Sequence, residues 1–267
     1  MGSIESAFIS DAIFIDRNGF SNWNPDWYCG FPFHLSYPPL IPFLTAAMHW
    51  VIPTISIPQF YRFITALAYA FGPVTLYLFV KYLTQRESTA FISAIIYSVV
   101  LGPIYSATPF ASELNTILQY VPYNLIVLTL FGEGPHILGL TLIPLALYAL
   151  LHSLRRPCFK KIFLTSLAIA AVALTNLIAL YSFAIISVIT LLSEALRGEA
   201  VRKMQTALIC GVVSYGLVAF CYDYSFIESS LSFNPLGGDF VLSWQNFAVM
   251  LTIVAATLST FSIYYQK

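Results

Sequence analysis

The stretch IFLTSLAIAAVALTNLIALYSFAIISVITLL, residues 162–192, contains no Asp, Glu, Lys or Arg. A bilayer core takes about 20 apolar residues per helix, because backbone groups find no water there and must be satisfied inside the segment. As one helix the stretch would run roughly 46 Å at 1.5 Å per residue, too long for one upright crossing and short of two full ones. The flanking charges decide between these. Arg155, Arg156, Lys160 and Lys161 precede it, and Arg197, Arg202 and Lys203 follow it. Lys and Arg gather on the cytoplasmic side of a membrane protein, so both ends belong on one side, which a single crossing cannot achieve. A break near Thr175 and Asn176, the polar pair at its middle, is expected to give two short or tilted helices.

The rest of the chain agrees with a membrane solvent. The full sequence is 58% hydrophobic and 9% charged, against about a quarter charged in soluble domains. Spans are expected at Phe60 to Tyr82, Thr89 to Tyr105, Gln205 to Tyr224 and Trp244 to Tyr265, with a shorter one from His136 to His152. Lys81 and Arg86 mark another inside connection, and Lys267 the inside end. Residues 106–135 and 225–243 hold no Lys or Arg but contain Glu113, Glu133, Glu228 and Asp239, and so read as external. The fold class is all-α, a polytopic bundle with about seven membrane-embedded helices, multi-pass in the cell membrane.

The same parity places residues 1–59 outside, as a large N-terminal loop. Within it, Leu40 to Pro53 has a length and proline content that suit a re-entrant or interfacial helix. One membrane domain is expected over 1–267, with the bundle at 60–267. No basic region followed by an apolar stretch opens the chain, so no signal peptide is expected. Twelve basic residues balance twelve acidic ones, which gives no reason to expect nucleic acid; the partner is the bilayer. Cys29, Cys158, Cys210 and Cys221 have no metal-ligand or CxxC spacing, and neither a zinc site nor a disulfide framework is expected. Phosphate-loop, dinucleotide, zinc-helix and nucleophile-elbow motifs are lacking from the sequence.

The chemistry-bearing candidates lie in the two expected external regions. WNPDWYCGFPFHLSYPPLIPFL, residues 23–44, combines prolines with Trp27, Tyr28 and Tyr37, the amphipathic aromatics of a membrane interface. It reads either as an aromatic belt or as a docking surface for a lipid-linked ligand, with Asp26 and His34 as polar handles. FGEGPHILGLTLIPLAL, residues 131–147, sets Glu133 and His136 around Gly134-Pro135 at a helix start. That pair suits a phosphate-metal group or a sugar hydroxyl, though Glu at a helix N-terminus is also good capping. Asn176, deep in an apolar run, reads as interhelical glue or a kink. Asp223, Glu228 and Asp239 read as a solvated face.

These two stretches resemble bacterial and archaeal membrane proteins labelled 6-pyruvoyl-tetrahydropterin synthase-related, whose architecture is similar to the GT-C glycosyltransferases. The resemblance covers residues 16–43 and 131–147; elsewhere it is the helix pattern alone. It implies a polyprenyl-phosphate sugar donor and a catalytic acid before the Trp-Asn-Pro stretch. Glu5, Asp11 and Asp16 are the acids there. Asp11 is favoured, standing where a helix would begin, with Glu5 next. Such a carboxylate acts as general base on an acceptor hydroxyl or holds a divalent metal such as Mg or Mn. No spanning helix precedes these acids, so a shortened or partial relative is expected. The competing readings are a transporter or flippase-like protein and a non-catalytic scaffold.

Overall fold

The computed structural model describes residues 3–21, 23–26, 29–33, 37–99 and 121–232. It is mostly helical. In chain order the elements are α1 (Glu5–Asn18), a two-residue hairpin of β1 (Trp23–Asn24) and β2 (Phe31–Pro32), α2 (Leu40–Val51), α3 (Ile57–Thr84) and α4 (Glu87–Val99). Then come α5 (Tyr123–Ile126), which continues into a π turn at Val127–Phe131, α6 (Gly134–Arg155), α7 (Phe159–Ala173), α8 (Leu177–Leu196), α9 (Ala200–Val218) and α10 (Tyr224–Ser232). The hairpin is antiparallel and pairs Trp23 with Pro32 and Asn24 with Phe31.

Among the described residues, three helices, α3, α6 and α8, are long and apolar enough to cross a membrane. On α3 and α8 most of the span is exposed, and the exposed side chains are large and apolar. On α3 the buried face is Tyr61, Thr65, Ala68, Gly72 and Thr75, while Phe63, Leu67, Phe71, Val74 and Leu78 form an exposed stripe at helical spacing. A matching stripe of Ile178, Tyr181, Ile185, Val188 and Leu192 runs along α8. Small and hydroxyl-bearing residues inside, with large apolar ones outside, is the arrangement that lipid favours, since close backbone approach rather than hydrophobic burial holds such helices together. Water would leave contiguous apolar stripes of this size unstable to association.

Hydroxyl groups supply the interhelical bonds. Thr141 Oγ1 on α6 donates to the Ala68 carbonyl on α3 at 2.7 Å, and Ser166 Oγ on α7 donates to the Cys210 carbonyl on α9 at 3.2 Å. Gly72 admits the Tyr97 ring, which stands 2.8 Å from where a β-carbon would lie.

The expected break in residues 162–192 is present: α7 ends at Ala173 and α8 begins at Leu177. Asn176 makes the break locally, its Oδ1 accepting from the backbone N–H groups of Ile178 at 2.7 Å and Ala179 at 3.3 Å. Such side-chain acceptance satisfies the orphan donors of a helix start. The span expected from Thr89 is helical to Val99, and its remainder falls outside the described residues. So do Glu113, Asp239 and the span expected from Trp244 to Tyr265.

Four expectations need correction. Residues 1–59 are not mainly loop, because α1 precedes the short helix α2. Asp11 does not stand at a helix start, since α1 begins at Glu5. The helix expected from Gln205 to Tyr224 runs instead from Ala200 to Val218. Asp223 then accepts a 2.8 Å bond from the Phe226 N–H and starts α10, so Asp223 caps a helix rather than decorating a solvated face.

The chain divides into two compact units, Met1–Tyr148 with Ala171–Leu180, and Ala149–Ala170 with Tyr181–Lys267. In the first, α1 buries Phe8, Ala12, Phe14 and Ile15. Phe14 and Ile15 pack with Phe33 and Ala46, and Phe8 packs with Ile41 and Tyr61. These contacts seat the N-terminal helix on α2 and α3 and thereby position its acids.

Candidate active site

The candidate residues of the first unit converge on one turn. Residues 131–134 leave the π turn and enter α6, with Gly132 in the left-handed region at φ 74°. A β-carbon on Gly132 would collide with the Ser3 hydroxyl and sit 2.6 Å from the Glu5 nitrogen, and one on Gly134 would sit 2.5 Å from the Tyr61 oxygen and the Thr65 methyl. Glycine therefore brackets Glu133 because the start of α1 presses on one side of the turn and α3 on the other. The Ile4 N–H donates to the Phe131 carbonyl at 3.0 Å. Tyr61 donates its hydroxyl proton to the Gly132 carbonyl at 3.3 Å.

Glu5, Glu133 and Tyr37 all lie within electrostatic reach of the Tyr61 hydroxyl. Glu5 Oε1 accepts from Arg62 Nε at 2.7 Å, so its charge is already matched. Glu133 is half-buried at the N-terminus of α6, its carbonyl accepting from the Ile137 N–H at 3.2 Å. Burial raises its carboxyl above the ordinary range, because desolvation disfavours the ionised form. His136 follows in the first turn of α6 and is half-buried. One turn on, a β-carbon at Gly139 would lie 2.6 Å from Ala179, in the first turn of α8.

Asp11 lies six residues beyond Glu5 on α1, about 9 Å along the axis. It is half-buried, and burial pushes its carboxyl up to about 7. An acid that is half-ionised near neutral pH is matched to giving and taking protons, and such shifts gather at functional sites. Asp16, the third acid of this region, contacts His49 Nδ1 of α2 at 2.9 Å.

Tyr37 lies against Phe8 with ring centroids 5.1 Å apart, and its hydroxyl accepts a 2.6 Å bond from Asn176 Nδ2. The Leu40 N–H donates to the Leu174 carbonyl at 2.8 Å, so the start of α2 and the helix break are tied twice. Asp26 is exposed, and its N–H donates to the buried Asn24 Oδ1 at 2.9 Å in the hairpin. Trp27, Tyr28 and His34 lie outside the described residues. The structure thus groups Glu5, Glu133 and Tyr37 about Tyr61, with His136 on the adjoining turn and Asp11 farther along α1.

Among the described residues, no three of His, Cys, Asp and Glu are grouped to hold a metal ion. Tyr61 and Arg62 were missed by the sequence reading. Arg62 carried a signal, since it is a cation at the end of α3 remote from Lys81 and Arg86, where basic residues are otherwise scarce. A scan against protein-family models and a search of curated proteins find no match to the chain.

Proposed function

We propose that this chain is a polytopic membrane transferase of GT-C-like architecture, acting at the face opposite its basic connections on a polyprenyl-phosphate sugar. The observation that carries this reading is the hydrogen-bonded seating of the α1 start on the Phe131–Gly134 turn. That seating holds the two acidic regions named by the resemblance in one unit, beside Tyr61 and Tyr37.

In this reading Asp11 takes the proton of the acceptor hydroxyl as that oxygen attacks the anomeric carbon. The bond between that carbon and the carrier's phosphate oxygen breaks, and the leaving phosphate keeps the electron pair. Glu133 and His136 orient the sugar by hydrogen bonding. Asp26 and Tyr37 belong to the docking segment for the lipid-linked donor. A transport path would draw on unengaged polar groups inside the bundle, whereas both ends of the Asn176 amide are occupied by Tyr37 and the α8 backbone.

The test is transfer of radiolabelled sugar from polyprenyl-phosphate donors in membranes holding the full chain. Activity in the wild type, lost in both Asp11→Asn and Glu133→Gln at unchanged expression, supports the reading. Transfer that survives both substitutions, or no transfer with any donor, removes it.

A further inference from the structure

We infer that the tip joining α2 to α3, Trp50 to Ser56, is seated in the headgroup layer of the bilayer and sets the height of the acid-bearing helix α1. The inference rests on α3 crossing the membrane and not on the transfer reaction. Every residue from Trp50 to Ser56 is exposed, with Trp50 at 54% and Val51 at 79%, and Ile52 and Ile55 beside them. The sequence WVIPTISIPQFY, residues 50–61, holds no charge. The body of α2 buries Ile41, Pro42, Thr45 and Ala46, so the exposed apolar surface gathers at its end.

Contiguous large apolar side chains are costly in water, and the geometry of α3 says what covers them. Arg62 and Lys81 bound an uncharged run and lie roughly 28 Å apart along the helix at 1.5 Å per residue, close to the ~30 Å of a hydrocarbon core. Ile57 to Tyr61 then extend roughly 7 Å beyond that core, the depth of a headgroup layer. The tip directly precedes them, at the level where Trp is favoured and apolar side chains reach the acyl boundary. It is also continuous with the exposed stripe of α3 that starts at Phe63. Backbone bonding suits the same solvent. The N–H groups of Ile52 and Ile55 donate to the Met48 and Ile52 carbonyls at 2.9 and 3.3 Å, that of Ser56 donates to Gln59 Oε1 at 3.0 Å, and Pro53 has none to satisfy. One residue before the tip, His49 contacts Asp16 of α1 at 2.9 Å, so a tip held in lipid holds α1 at a fixed height.

The experiment takes the full chain in nanodiscs of phosphatidylcholine brominated at either shallow or deep acyl positions, and reads the fluorescence that Trp50→Phe removes from the wild-type spectrum. That component is expected to be blue-shifted, to lose most of its intensity with shallow bromines and to resist aqueous iodide. Should Trp50→Phe not fold, Val51→Cys carrying an environment-sensitive fluorophore, in a Cys29→Ser and Cys158→Ser background, reports the same depth from the surface of the tip. Quenching by iodide in place of bromolipid would put the tip in water, and quenching by neither would put a protein over it. Stronger quenching by deep bromines would make it a re-entrant segment. Each of these overturns the inference. A tip found at headgroup depth in a chain that transfers no sugar supports the inference and removes only the transferase reading.

Discussion

The Asn176 amide donates to the Tyr37 hydroxyl at 2.6 Å, across 139 residues of chain. One side chain thereby starts α8 and fastens the break to the segment that carries the aromatic sequence. Asn176→Ala removes both the cap and the cross-link, and should destabilise the protein by about 1–3 kcal/mol. Tyr37→Phe removes only the link, at about 1 kcal/mol. In a double-mutant cycle by thermal unfolding, the two effects should be less than additive by about the value of the shared bond. Full additivity would mean that the bond contributes nothing.

The glycines around Glu133 are there for space as well as conformation. Gly134→Ala drives a methyl group against Tyr61 and Thr65 and should cost about 1–3 kcal/mol. Gly132→Ala adds a positive-φ penalty and a collision with the start of α1, and should cost at least as much. Paired unfolding curves decide this. If Gly132→Ala matches the wild type, α1 is not seated on this turn.

Asp11 predicts a pH dependence with a definite sign. Its folded value of about 7 lies above the ordinary value of 3.8, so between these values the folded state holds more protons than the unfolded one. Stability therefore falls as pH rises through that window. Asp11→Asn should flatten this part of the profile and be the more stable protein at pH 8. A substitution that leaves the slope unchanged would assign it to other groups. Under the proposed mechanism, transfer rises as pH passes about 7 and the base ionises, and that limb disappears with the asparagine.

Much of this was legible in the sequence, for identifiable reasons. The helix break could be placed because charges flank residues 162–192 on both sides and Thr175-Asn176 is the polar pair at the middle. The start of α1 is hard to place from sequence because Glu5, Asp11 and Asp16 interrupt the apolar pattern of this 14-residue helix. Yet Phe8, Ala12 and Ile15 recur at helical spacing and are its buried face. Helix α9 was placed too late because Arg202 and Lys203 made its first turn look like loop. The ion pair of Arg155 with Glu194 was hidden because the two lie 39 residues apart, a pairing that only the fold creates.

The sidedness on which the functional reading depends can be tested with the protein's own cysteines. Cys29 and Cys158 are free and exposed, while Cys210 and Cys221 are buried. Cys29 lies between the hairpin strands of the acid-bearing segment, and Cys158 lies in the basic connection after α6. A membrane-impermeant maleimide applied to intact cells should label Cys29 and leave Cys158 unmodified until the membrane is opened, with Cys29→Ser and Cys158→Ser assigning the signals. That result places the acids and the basic connections on opposite faces, as the account requires. Labelling of Cys158 from outside, or of both cysteines only after the membrane is opened, would contradict it.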